Sequence, residues 1–231
     1  MRLLAFETAT EACSVALYLD GEVRERFELA PRRHAELALP WAEALLAEAG
    51  VARRQLDAIA VGRGPGAFTG VRLAIALAQG IALGLDRPVL PVSTLAALAM
   101  RAPEGRVLAA IDARMGEVYA GAFLRAGDGV SALGAESVRA PGQVALADGN
   151  DGWHGVGTGF AAADGALARA LAPQLATVDA QALPRAADVA RLGAAAFARG
   201  EAIAPARLEP AYLRDNVALT LEQQQALRAS R

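Results

Sequence analysis

One segment constrains this chain more than any other. Gly62-Arg63-Gly64-Pro65-Gly66 is followed by Phe68 to Leu85, a stretch whose apolar side chains cover most of a helical circumference. A helix of that kind must bury both of its faces. Gly70, Ala74, Ala78 and Ala82 recur at i+4, and such a ridge of small residues lets another helix approach closely. One face is expected to cover the chain's own sheet, and the ridge face to need a partner. The preceding helix, expected over His34 to Ala49 and closed by Gly50, sets Leu37, Trp41 and Leu45 beside it, with Pro40 as a blemish. Val71 to Leu85 carries Arg72 and Gln79 and is shorter than the ~20 residues that cross a bilayer, so no membrane association is expected.

Around this segment the pattern alternates strands and helices. Leu3–Thr8, Cys13–Leu19 and Val23–Leu29 read as an antiparallel meander turned by Asp20-Gly21. Leu56–Val61 and Val89–Val92 read as strands, and Ser93 or Thr94 caps a helix that runs to about Arg101. Pro103-Glu104-Gly105 marks a restart. Val107–Asp112 and Val118–Leu124 follow as strands around Met115-Gly116-Glu117. Then come a short helix near Pro141, a strand at Trp153–Val156, and helices over Ala161–Leu171 and Ala186–Arg199. Two α/β lobes are therefore expected, residues 1–104 and 105–216, with 217–231 a flexible or short helical tail whose Thr220 and Gln223 fit a capping box.

Composition removes several chemistries. With 231 residues, 54 % of them hydrophobic, a sizeable core is available. All 23 basic residues are arginine, which excludes a lysine Schiff base and a Walker lysine. A net charge of -2 argues against a dedicated polyanion binder. Cys13 is the single cysteine, inside a strand and without a partner base. His34 and His154 are far apart, and neither HExxH nor CxxC occurs. A reducing, cytoplasmic setting is expected.

Three stretches stand as candidate sites. Glu7-Thr8-Ala9-Thr10-Glu11, closed by Ser14, reads either as a hydroxyl-rich phosphate turn or as an ordinary hairpin turn. Gly62 to Gly70 reads either as an anion loop or as a tight strand-to-helix connection; the spacing favours the connection. Gly155-Val156-Gly157-Thr158-Gly159 reads as a surface loop.

Residues 3–19 (LLAFETATEACSVALYL) resemble the opening strands of actin-like ATPase folds. The stretches 62–84 (GRGPGAFTGVRLAIALAQGIALG), 89–95 (VLPVSTL), 111–119 (IDARMGEVY) and 210–217 (PAYLRDNV) resemble the TsaB (YeaZ) family of bacterial tRNA threonylcarbamoyladenosine biosynthesis. The resemblance implies a two-lobed actin-like (ASKHA) fold with mixed sheets flanked by helices. It implies a non-catalytic dimerisation subunit that binds and activates the threonylcarbamoyltransferase TsaD, with the ATPase TsaE joining the pair. A homodimer is expected when the chain is alone, and tRNA is expected to be met only indirectly. In catalytic relatives two histidines four apart bind a metal; here the matching positions are Thr94 and Leu98, so no metal site is expected. Ala9 replaces a glycine of the phosphate turn, so Glu7, Thr8 and Thr10 stand as a vestigial cofactor turn, with ATP or ADP confined to the assembled complex. The family's four-helix interface implies that Leu37, Trp41, Leu45, Gly70, Ala74, Ala78 and Ala82 face the partner. The competing readings are a stand-alone ATPase or small-molecule kinase of the same fold and, more distantly, a glycoprotease-like peptidase.

Overall fold

The computed structural model describes residues 1–146 and 152–214, so the expected capping box at Thr220 and Gln223 lies outside the described residues. In chain order the elements are β1 (Arg2–Glu7), β2 (Ala12–Leu19), β3 (Glu22–Leu29), α1 (His34–Glu48), β4 (Ala58–Gly62), α2 (Phe68–Leu85), β5 (Val89–Val92) and α3 (Thr94–Ala99). There follow β6 (Gly105–Arg114), β7 (Glu117–Ala126), β8 (Gly129–Ala132), β9 (Ser137–Arg139), β10 (Trp153–Val156), α4 (Ala162–Ala170), β11 (Leu175–Asp179) and α5 (Ala186–Ala198).

The first sheet has the order β3-β2-β1-β4-β5. The meander is antiparallel, and β1, β4 and β5 run parallel. Strand β1 is central, which is why LLAFE is apolar on both faces. Its Leu4 and Phe6 point into one core with Ile59 and Val61, under α1 and α2. Its Leu3 and Ala5 point into the opposite core, with Ala60, Ala186 and Ala190, under α5. The second sheet has the order β11-β10-β6-β7-β8, with β9 also on β7. Together these are the two mixed sheets flanked by helices of the actin-like fold.

The helices cross between the halves of the chain. From the first half, α3 packs on the second sheet through Leu95 and Leu98. From the second half, α5 packs on the first sheet. A single cut at residue 104 therefore separates the strands but not the helices. The N-terminus of α5 is fixed across that divide: Ser14 Oγ accepts from the Ala186 N–H at 2.9 Å, and Glu25 accepts from the Ala187 N–H at 3.0 Å while pairing with Arg185.

Three strands, β8, β9 and β11, were not expected from the sequence. They are short and largely solvent-facing, so they carry little apolar alternation. Within α4, Ala163, Asp164 and Gly165 are left-handed, which breaks the regular helix expected from Ala161. Gly155–Gly159 is not a surface loop. Gly157 has φ +107, and a Cβ there would strike the Ala110 carbonyl and Leu98; Gly159 lies equally close to Ala110. These glycines let the chain press β10 and the following turn onto β6.

Candidate functional site

The β1–β2 turn is closed by the chain itself. Thr8 Oγ1 donates to the Gly70 carbonyl at 2.7 Å, and the Ala67 N–H donates to the Ala9 carbonyl at 2.7 Å. A Cβ at Gly66 would lie 2.7 Å from the Ala9 Cβ, and one at Gly70 would overlap the Thr8 carbonyl oxygen. The loop from Gly62 to Gly70 is thus packed directly against the turn. Glu7 and Thr8 are fully buried, and Thr10 nearly so, its Oγ1 accepting from the Ala12 N–H. Of the three residues expected to form a vestigial cofactor turn, Glu7 and Thr8 are therefore held inside the fold, while Thr10 borders an open cleft. Thr8 fastens the turn to α2, and Glu7 fastens β1 to α3.

Glu7 is the centre of this fastening. Its Oε1 accepts from the Ala9 N–H at 2.8 Å, and its Oε2 accepts from Thr94 Oγ1 at 3.0 Å; Thr94 Oγ1 in turn accepts from the Gly64 N–H at 3.2 Å. Burial pushes the Glu7 carboxyl from 4.5 up to about 7, against the opposing pull of those hydrogen bonds. The native state therefore holds a proton that the unfolded chain releases near pH 4.5. Stability contributed by this group is complete below that pH and is lost as pH rises through about 7. The loss is about 3 kcal/mol at 1.36 kcal/mol per pH unit. Urea midpoints measured at pH 5 and pH 8 should show this fall in the wild type and little of it in Glu7→Gln, which has no proton to lose.

Other candidates resolve simply. Cys13 is buried, with Sγ 3.9 Å from the His34 carbonyl, and burial pushes its thiol up to about 11, so it is a protonated core residue. His34 Nε2 lies 2.9 Å from the Thr10 carbonyl. Leu98 is fully buried against the second sheet.

The faces of α2 are reversed relative to expectation. Ala74, Ala78 and Ala82 are 0 % exposed and lie on the first sheet's core, and Gly70 abuts Thr8. The sheet supplies large side chains (Leu4, Phe6, Ile59, Val61), so close packing requires small ones on the helix. The ridge is therefore internal, and Gly70, Ala74, Ala78 and Ala82 cannot meet a partner. Leu45 is likewise buried, while Leu37 and Trp41 are half-buried against the same core. The solvent-facing side of α2 carries a second small series, Ala76, Gly80 and Gly84, with Leu83 65 % exposed. Beside it, α1 exposes Leu39 at 43 %. A groove of about 240 Å³ runs between the helices, lined by Leu39, Ala42, Leu46, Gly80, Ile81 and Gly84 among others. By length and composition α2 could cross a bilayer, but its inner face belongs to the core.

Between the lobes lies an open cleft of about 1400 Å³. It is bordered by residues 9–11, the start of α1, the first turns of α2, the β6–β7 hairpin and residues 211–214. The last of these straps the lobes together. The Ala211 N–H donates to the Arg63 carbonyl at 2.8 Å, and Arg214 donates to the Ala113 carbonyl and pairs with Glu117.

Comparison with known proteins agrees with this architecture. Residues 27–221 match the TsaD family, described as tRNA N6-adenosine threonylcarbamoyltransferase. The chain is 43 % identical to the tRNA threonylcarbamoyladenosine biosynthesis protein TsaB of Escherichia coli K12, over 94 % of this chain and 96 % of that one. It is 40 % identical to the protein of the same description from Haemophilus influenzae, over 94 % and 95 %. The solved structure of YeaZ from Pseudomonas aeruginosa superposes with a TM-score of 0.82 at 45 % identity, over 92 % of this chain and 99 % of that one. With the actin-like sheets, the glycine-packed α2 junction and full-length similarity in agreement, the chain belongs to the TsaB (YeaZ) family, whose role is in tRNA threonylcarbamoyladenosine biosynthesis.

Proposed function

We propose that this chain is a non-catalytic docking subunit that binds and activates a TsaD-type threonylcarbamoyltransferase in the cytoplasm. The observation that carries the reading is the outer face of α1 and α2. Leu39, Ala76, Gly80, Leu83 and Gly84 make an apolar surface around a groove, with small residues where a partner helix would approach. This face replaces the internal ridge as the interface, and Trp41 keeps at most a supporting place beneath it. The absence of catalysis is supported by the closed β1–β2 turn and by Thr94 and Leu98, which are committed to Glu7 and to the core. The same closure weighs against a stand-alone ATPase or kinase. A TsaE-type ATPase and its nucleotide would then join only the assembled pair. An isologous dimer through the same helices would cover the face when the chain is alone.

Size-exclusion chromatography with light scattering, on the chain alone and with its cognate TsaD, tests this reading. The expected result is a dimer that exchanges into a heterodimer. A monomer that ignores TsaD would remove the proposal.

A further inference from the structure

We propose that the inter-lobe cleft takes an unpaired segment of RNA, so that this chain makes one local, direct contact with the RNA being modified. The inference rests on the family's role in tRNA modification and not on the docking surface. Three observations support it.

First, the cleft's charge differs in sign from the chain's. The whole sequence carries -2, yet among the described residues the cleft is lined by four arginines (Arg32, Arg72, Arg114 and Arg214) against two acids, Glu11 and Asp112. Arg114 is paired with Asp112, and Arg214 is held by Glu117 outside the lining. Arg32 and Arg72 have no carboxylate partner among the described residues and stand in or at the mouth of the cleft. Arginine is the residue best matched to phosphate oxygens, through its planar fork of donors.

Second, aromatic rings interleave with these charges. The Arg72 guanidinium lies 3.3 Å from the Phe68 ring centroid and 5.5 Å from that of Tyr212. Phe68 is 58 % exposed and Tyr212 55 %, although both are large and neither packs into a core. Arginines along a groove with exposed rings between them are the arrangement by which proteins hold unstacked bases and their backbone.

Third, the cleft is open, and the β1–β2 turn along its floor is packed against Gly66, Ala67 and Gly70. A strand lying across the rim does not need that turn. The net charge of -2 argues only against a dedicated polyanion binder; it does not register a local surplus of this kind.

The probe is a fluorescein-labelled RNA hairpin with an unpaired loop, followed by anisotropy with the full chain across a salt series. A fully paired RNA duplex serves as the comparison. The hairpin should bind more tightly than the duplex. Tyr212→Ala should weaken hairpin binding about tenfold, as expected for loss of one base–aromatic stack, with little change in the salt slope. Arg72→Ala should lower the slope of log K against log salt by about 0.7, one phosphate contact on a single strand. Thermal melts of both variants confirm that they are folded. The proposal is overturned by no binding at low salt, by equal affinity for hairpin and duplex, or by variants indistinguishable from wild type. It is also overturned if ADP displaces the hairpin, since the cleft then belongs to a free nucleotide. None of these outcomes alters co-elution with TsaD, which tests the docking role separately.

Discussion

Gly80→Arg is expected to fold normally and to lose its partner. A Cβ at Gly80 meets nothing within 4 Å, and the residue lies on the exposed side of α2. Replacing a mid-helix glycine with arginine stabilises a helix by about 0.8 kcal/mol. For a chain of this size that raises the melting temperature by about 2–4 °C per kcal/mol. At the proposed interface the same side chain would fill the groove between α1 and α2 with a long cation, and the carboxylate lining that groove, Glu43, is already paired with Arg53. An unpaired buried charge costs about 3 kcal/mol or more, so the dissociation constant should rise at least about a hundredfold. Co-elution with TsaD should vanish while the melting curve stays intact. Ala78→Arg separates the two faces of the helix: Ala78 is fully buried on the sheet, so that variant should fail to accumulate as folded protein. Gly80→Arg that still pairs at wild-type affinity would remove the docking face from α2.

The contrast between Ala78 and Gly80 shows where the sequence was legible and where it was not. The existence and bounds of α2 follow from its continuous apolar pattern between a glycine-rich loop and Asp86, whose left-handed conformation ends the helix. Its orientation does not follow, because two interleaved series of small residues, 70-74-78-82 and 76-80-84, satisfy the same i+4 rule. Arg72, four residues before Ala76 on the second stripe, was the available signal that this stripe faces water. The meander and β5 were readable because alternation and turn residues are local signals. The sealed turn was not, because its partners are distant in sequence: Thr8 meets Gly70, and Glu7 meets Thr94. Glu7 read as part of a phosphate turn; in the fold it is a buried hydrogen-bond acceptor joining β1 to Thr94 at the start of α3. The aromatic–arginine rim of the cleft also went unread, since Tyr212 reaches Arg72 only through the returning C-terminal segment.

Gly70→Ala and Gly80→Ala, one methyl group each in one helix, should have opposite effects on stability. At Gly80 the methyl enters open space and relieves the entropic cost of a helical glycine, so stability should rise by about 1 kcal/mol. At Gly70 the methyl would overlap the Thr8 carbonyl oxygen and approach the Ala9 Cα at 3.6 Å. Those neighbours are backbone and cannot rotate away as a side-chain end could. They are also held, since Thr8 donates to the Gly70 carbonyl and the Ala9 carbonyl accepts from Ala67. Relief requires α2 to lift from β1, which breaks both bonds and loosens the packing of Ala74 and Ala78 beneath it. A loss of about 4 kcal/mol or more is expected, in the range reserved for overpacked cores and broken buried networks. Urea denaturation of the two variants beside the wild type reads both signs in one experiment. If Gly70→Ala were as stable as wild type, the seam between the turn and α2 would be yielding, and a yielding seam could admit a phosphate. Nucleotide binding by the isolated chain would then return as the leading reading. A severe loss at Gly70 with a gain at Gly80 would fix the inner face of α2 as structural and leave its outer face as the side free to dock.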